Sequence, residues 1–420
     1  MYFIYKFLTT ISLPLYIMIV FLRKYLKKED DLRFKEKFLS NYFFLKSKNE
    51  LFWFHAASIG EFKSIVPIIK NLQLKKPEAE FLITTVTLSS GEIFKKEFEE
   101  IKNINHKYFP FDNILLVKKF LDKCKPNLAV FVDSEIWPNF IIETKKRNIP
   151  LILLNGRITK KTFNRWKIVS NFASYIFGSF DLCLPSSKSS EINLKALLCK
   201  NIKYFGNLKF AADIEISELN KKNKEILENF KTWCAASTHP NEEIEILYTH
   251  KAIKKYHKDI VTIIIPRHIQ RAEKILADST KLNLKTQILK KNDIIEKDKE
   301  IIIVKSFGSL LKYYNYCNIT FIGKSFQKIH EKIGGQNPIE AAKLGCKIYH
   351  GPYVSNFQEV YDYLAELKIS FKVNDKEQLA DEILNDFKHD RINSNENIKT
   401  INEKGNMIFN RYIRELQNFI

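Results

Sequence analysis

Short apolar runs alternating with longer polar-faced segments constrain this chain's fold more than any other feature. LFWFHAA (51–57), EFLITTVT (80–87), NLAVFVD (127–133) and PLILLNG (150–156) each read as a buried strand, and stretches such as EFKSIVPIIKNLQLKK (61–76) between them suit helices. The alternation predicts βαβ units, hence a parallel sheet with helices on both faces. It weakens over residues 205–230, where a charged helix but no strand is expected, and resumes with TWCAAST, DIVTIIIP, EIIIVKS, NITFIG and CKIYHG. A chain of 420 residues exceeds one ordinary core. Two α/β domains are expected, 29–208 and 209–420, preceded by a separate segment 1–28; the last helix of the second domain is an element that could pack back on the first.

The N-terminal segment differs in kind. Residues 7–22, FLTTISLPLYIMIVFL, carry no charge and precede Arg23, Lys24, Lys27 and Lys28. A signal peptide would place its charge before the apolar stretch and a small-residue cleavage site after it, so a membrane anchor is expected, either spanning or embedded. The positive flank would keep the rest of the chain in the cytoplasm, on the inner face of a bacterial inner membrane. A charged helix is expected over 27–40.

The formal charge of +20 favours polyanionic partners, although a chain rich in Lys, Asn, Ile and Phe together is also what a genome-wide compositional bias produces. Six scattered cysteines without a CxxC and nine histidines without metal-ligand spacing indicate neither a zinc site nor a disulfide framework.

In open parallel sheets ligands bind beyond the carboxyl ends of the strands, and here those positions are rich in functional side chains. HAASIGE follows the first run, DSEIWPN the third and NGRITKK the fourth; STHPNEE, PRHIQR and a glycine turn, GGQNPIE (334–340), occupy the second half. In that turn Gly334 and Gly335 would let backbone approach a ligand, Asn337 would cap a helix begun by Pro338, and the helix N-terminus would attract a phosphate. Glu340, one turn in, would reach a ribose. The structural alternative is a plain turn and a solvated glutamate.

HAASIGE, SEIWPN, NGRIT, GNLKF, ASTHPNEE, PRH and GGQNPIEAA stand in the order and spacing of the bacterial 3-deoxy-D-manno-octulosonic acid (Kdo) transferases, and the chain resembles that family from its N-terminus to about residue 365. The resemblance implies an α/β GT-B glycosyltransferase with two facing Rossmann-like domains, the first binding the lipid A precursor and the second CMP-Kdo. The implied reaction transfers Kdo from CMP-Kdo to lipid IVA with inversion. By resemblance Glu61 is the catalytic base, and Ser58, Glu135 and Arg157 lie on the acceptor side. The donor set is Ser237, His239, Pro266, Arg267, His268, Ser306, Phe307, Gly308, Gly334, Gly335, Asn337 and Glu340. Structural readings stand beside these: Glu61 as a helix-terminal charge, Glu135 in a salt bridge to Arg157 or Arg165, Trp137 as packing, and Arg267 in a surface ion pair.

Three departures from the family pattern concern the donor side. The loop Lys305-Ser306-Phe307-Gly308-Ser309 lacks the usual acids, Gly323-Lys324 replaces a frequent Gly-Gly, and Gln336 stands where His is common. No cofactor and no metal are expected, because a single phosphate can be stabilised by a helix N-terminus and Arg267, and no DxD follows a strand. The expected partners are CMP-Kdo, lipid IVA and an anionic membrane surface. The alternatives are a UDP-sugar lipid glycosyltransferase or UDP-sugar 2-epimerase of the same fold, a non-catalytic lipid A-binding protein, and a nucleic-acid binder. The last is disfavoured by the absence of recognition motifs.

Overall fold

The computed structural model describes residues 1–43, 49–214, 218–388 and 395–420. It divides into two compact units, Met1–Asp213 with Lys404–Ile420, and Ile214–Glu403. The second unit thus begins at 214 rather than 209, and the chain's last residues belong to the first. Residues 215–217, inside the expected strand-free stretch, lie outside the described residues; around them stand a 3-10 turn, Leu208–Ala211, and a helix, Lys221–Leu227.

The first unit holds six parallel strands, β1 (Leu51–His55), β2 (Glu80–Thr85), β3 (Ile104–Tyr108), β4 (Leu128–Val132), β5 (Leu151–Gly156) and β6 (Leu182–Pro185), in the order β3-β2-β1-β4-β5-β6. The second holds seven, β7 (Lys231–Thr238), β8 (Ile260–Pro266), β9 (Thr286–Leu289), β10 (Ile301–Val304), β11 (Ile319–Ile322), β12 (Lys347–His350) and β13 (Ser370–Lys372), in the order β13-β12-β11-β7-β8-β10-β9. Both are doubly wound, and each has a point where consecutive crossovers change direction: between β1 and β4 in one sheet, between β7 and β11 in the other. Every apolar run picked from sequence forms a strand. The four strands not picked, β3, β6, β9 and β13, are the four sheet edges. Edges are short or polar because only one side is hydrogen-bonded to a neighbour, as in INHKY and SFK.

The single anchor helix expected over 7–22 is not present. Two helices, Tyr2–Ile11 and Leu13–Tyr25, meet at Ser12 with a 48° bend, and neither alone is long and apolar enough to cross a membrane. Pro14, second residue of the second helix, has no N–H to continue the first helix's ladder. The pair is docked on the first unit: the Tyr5 hydroxyl donates to Asp112 Oδ2 at 2.7 Å, Asn139 Nδ2 donates to Thr9 Oγ1, Tyr16 stacks on Phe111, and Val20 packs with Phe34, Phe38 and Leu116. Its outer side leaves Phe3, Phe7, Leu8, Ile11, Leu15, Met18 and Leu22 more than half exposed.

Residues 27–40 are turns and 3-10 helix rather than a solvated α-helix. Four of their charges, Glu29, Arg33, Glu36 and Lys37, are used internally. Lys37 is buried with Glu29 at 2.5 Å and donates to the Val86 carbonyl, while Arg33 holds Glu36 and the His106 carbonyl. Glu36 in turn accepts the Tyr108 N–H on the open edge of β3, which closes that edge to other strands.

Candidate active site

Glu61 stands where β1 gives way to the helix Ile59–Lys75. Ser58 is the N-cap of that helix: its hydroxyl accepts the Glu61 N–H, and Glu61 Oε2 accepts the N–H groups of Ala57 at 2.8 Å and Ser58 at 3.2 Å. The helix-capping reading of Glu61 is therefore correct as geometry. It is not the whole account, because burial, reinforced by the negative charges of Asp133 and Glu135, pushes its carboxyl up to about 7. Those two acids follow β4, across the crossover point from β1. The three carboxylates gather at the ends of two neighbouring strands and are held by different partners, and burial with its two acidic neighbours brings Glu61 close to neutrality in its proton affinity.

Glu135 is fixed by groups sequence reasoning gave other roles. Its Oε2 lies 3.1 Å from Nε2 of fully buried His55 and accepts the Trp137 indole N–H at 2.7 Å. Burial alone would raise the Glu135 pKa, but these contacts bring it below the usual carboxylate value. Trp137 is thus a donor as well as packing, and His55, the first residue of HAASIGE but given no role from sequence, is the link between β1 and the acid after β4. The His55 ring lies 3.6 Å from the Phe109 ring, stacked, and its Nδ1 meets the Thr84 hydroxyl at 3.0 Å.

Asp133 adopts a left-handed backbone conformation, φ 61°, and its carboxylate lies 3.6 Å from Lys209 of the GNLKF segment. The Arg157 N–H donates to the Asp133 carbonyl and the Ser134 hydroxyl to the Arg157 carbonyl, so the turns after β4 and β5 are tied together. Asn155, also left-handed at φ 52°, accepts the Leu208 N–H. Asp133 and Lys209 were not singled out from sequence; an acid directly after a buried strand was the available signal.

In the second unit the residues expected on the donor side stand at or after the carboxyl ends of the strands. Ser237 is the next-to-last residue of β7, at φ 55°, and His239 follows the strand. Pro266, Arg267 and His268 end β8; Arg267 and His268 are exposed, and among the described residues Arg267 makes no ion pair with a carboxylate. Its N–H donates to the Thr238 carbonyl, which sets the two strand ends side by side. After β10, Ser306 bonds Ser309 through their hydroxyls, Gly308 has φ 74°, and the Phe307 ring is 73% exposed.

The glycine turn works differently from expectation. A Cβ on Gly334 would sit 2.2 Å from the Tyr353 carbonyl oxygen and 2.7 and 2.8 Å from those of His330 and Lys324. Gly334 is thus required by the protein's own backbone. Gly335, at φ 85°, donates its N–H to the Lys324 carbonyl. The N-cap is Pro338 rather than Asn337, which stands one residue earlier and accepts the Ile339 N–H through Oδ1; the helix is Ile339–Lys343, five residues, with Glu340 half-buried in its first turn. So short a helix adds little dipole to any anion site.

A residue inside the STHPNEE motif, Glu242, organises this edge. Fully buried, it accepts four main-chain N–H groups, from His239, Lys324, Ser325 and Phe326, at 2.6–3.0 Å. Burial raises its pKa, and these four donors oppose that. The loops after β7 and β11 are thereby pinned to one side chain, and Gly323 is needed there because a Cβ would lie 2.8 Å from Glu242 Oε2 and 2.7 Å from the Ser237 carbonyl oxygen.

A family model described as 3-Deoxy-D-manno-octulosonic-acid transferase (kdotransferase) matches residues 32–212. The chain is 32% identical over 426 residues to the 3-deoxy-D-manno-octulosonic acid transferase of Rickettsia bellii, covering 99% of each. It is 27% identical over 328 residues to the enzyme of that name in Haemophilus influenzae, covering 76% of this chain and 75% of the relative. Among solved structures, a putative UDP-N-acetylglucosamine 2-epimerase from Listeria monocytogenes is similar at TM-score 0.61 and 10% identity, over 88% of this chain and 97% of that one. At that identity the likeness speaks for the two-unit α/β fold alone, the GT-B class expected from sequence. With a relative 32% identical along its whole length and the family's N-terminal signature in place, this chain belongs to the 3-deoxy-D-manno-octulosonic acid transferase family.

Proposed function

We propose that the chain transfers Kdo from CMP-Kdo to a hydroxyl of lipid IVA, with inversion, at the cytoplasmic face of the inner membrane. The observation that carries this reading is Glu61. Its carboxyl, raised to about 7 beside Asp133 and Glu135, is poised to accept a proton near neutral pH, which an acceptor hydroxyl must lose as its oxygen bonds to the anomeric carbon. The bond from that carbon to the phosphate breaks as the new one forms, and CMP leaves with the electron pair. On this reading Ser58 holds Glu61 in place, while Glu135 and Arg157 serve the acceptor side. Ser237, His239, Pro266, Arg267, His268, Ser306, Phe307, Gly308, Gly334, Gly335, Asn337 and Glu340 serve the donor side, with Phe307 offering an open face for the base and Arg267 a guanidinium for the phosphate.

Neutralising one phosphate asks for no divalent cation when a guanidinium is at hand. Metal-independent transfer is part of the proposal. The bent N-terminal pair, with its apolar outer side, supports attachment by embedding in one leaflet, assisted by the basic residues at 23–28.

Incubating purified protein with CMP-Kdo and lipid IVA, then weighing the lipid by mass spectrometry, tests the reading. A gain of Kdo is expected, undiminished by EDTA, and lost by orders of magnitude in Glu61→Gln, whose amide cannot take the proton. No added mass would refute the substrate assignment; a loss with EDTA restored by magnesium would refute metal independence.

A further inference from the structure

The second sheet changes winding direction between β7 and β11, and the loops after those strands bring three imidazoles together. The His239 ring centroid lies 5.8 Å from that of His268 and 5.5 Å from that of His330, both edge-on. His268 follows β8; His330 ends the 3-10 turn Lys328–His330 in the segment between β11 and the glycine turn. His330 Nδ1 is buried and has no hydrogen-bond partner among the described residues. The Gln336 amide nitrogen lies 3.1 Å from His239 Nε2.

The groups that shift His239 are all basic. Burial and then Lys324, His330, His268 and Arg267, all basic, bring the His239 pKa down to about 4; burial and Lys324 lower that of His330. Glu242, which accepts the His239 and Lys324 N–H groups, has both oxygens committed to the four backbone N–H groups described above. Basic groups crowded about an imidazole disfavour its protonated form and are relieved by an anion. A buried nitrogen left without a partner is costly by itself, so its retention at a strand-end crossover calls for a ligand atom.

We propose that His330, which no motif in the sequence marks, is a donor-binding residue: with His239 and Lys324 it contacts an anionic oxygen of the donor. The inference rests on the assignment of the donor to the second unit. CMP-Kdo offers two such oxygens, on the phosphate and on the sugar carboxylate, and the chemistry that would recognise either is the same.

Calorimetric titration of the full-length protein with CMP, with cytidine, and with Kdo in the presence of CMP separates the sources. His330→Ala is expected to weaken CMP roughly tenfold and leave cytidine unchanged, the loss of one charge-assisted contact to phosphate. Unchanged CMP with weakened Kdo would place the contact on the carboxylate and equally support the proposal. Unchanged binding of all three, or an equal loss for CMP and cytidine as a merely structural role would give, overturns it. His330→Gln, which keeps an N–H donor and much of the bulk, is the companion variant should alanine unfold the loop; a several-fold loss confined to the anionic ligands is expected. If the parent protein binds neither CMP nor cytidine, the donor assignment itself fails, and this inference with it.

Discussion

Glu61 shows how one side chain serves structure and chemistry at once. Its Oε2 closes the capping box of the first long helix, while burial and two neighbouring acids keep the carboxyl protonated further up the pH scale than an exposed glutamate. A base must be deprotonated to act, so activity is expected to rise with pH through about 7. Glu135→Gln removes a negative neighbour, which lowers the Glu61 pKa; the acid limb of the kcat/KM profile should move to lower pH whatever happens to its height. A limb that stays in place, or moves upward, would remove Glu135 from the electrostatics of Glu61. Glu61, Ser58 and Glu135 were legible in sequence because they sit in motifs after buried strands. His55, Asp133 and Lys209 stand in quoted motifs too, but their roles were not legible, because a histidine at the end of an apolar run looks like core, and pairing across strands is set by register, which no local spacing reveals.

Among the elements, apolar strands in sheet interiors declared themselves in sequence and edge strands did not, for the reason their composition gives: a strand with one partner need not be apolar on both faces. The N-terminal segment misled in a different way. Hydropathy sees sixteen uncharged residues at 7–22 but not the proline that breaks the ladder or the Tyr5 and Asn139 contacts that hold the pair against the domain. Deleting residues 1–25 should therefore do more than release the protein from membranes. It uncovers Phe34, Phe38 and Leu116 beneath Val20 and leaves Asp112 without its Tyr5 donor, so the thermal midpoint of the first unit is expected to fall. A truncation that becomes soluble with an unchanged midpoint would make the pair a mere tether. In the second unit the element-level device is Glu242. Its replacement by Gln sets an NH2 against two of the four N–H groups, costing about 2–4 kcal/mol. Denaturant midpoints of Glu242→Gln and the parent check this, and equality would deny the loops their anchor.

At the scale of the molecule, the two-domain plan was legible because the strand rhythm lapses and restarts, and a return of the last helix to the first unit was among the expectations, but the residues that fix it there were not legible. Asn395–Gln417 has an apolar stripe that any domain surface could accept. What decides its place is a set of close fits at the end of the first unit. The buried Tyr412 hydroxyl donates to the Gly206 carbonyl at 3.1 Å, Lys203 pairs with Glu415 at 2.7 Å, and Ile408 fills the space a Cβ on Gly206 would take. The tightest fit is at Gly405, where a Cβ would lie 2.3 Å from the Phe210 carbonyl oxygen, a backbone atom that cannot move aside alone. Gly206, Lys203 and Phe210 belong to the stretch that includes the GNLKF motif, so the returning helix buttresses the residues that present Lys209 to Asp133. Gly405→Val is accordingly expected to destabilise the first unit by about 1–3 kcal/mol through overpacking. Hydrogen exchange read by mass spectrometry should show faster exchange in peptides from 203–213 and from 404–420. Kdo transfer should fall as Lys209 loses its support, while calorimetric affinity for CMP, a property of the second unit, stays at the parent value. Unchanged exchange in 203–213, or a loss of CMP affinity with transfer intact, would mean that the last helix serves the donor unit, and the close fit at Gly405 would have no bearing on catalysis.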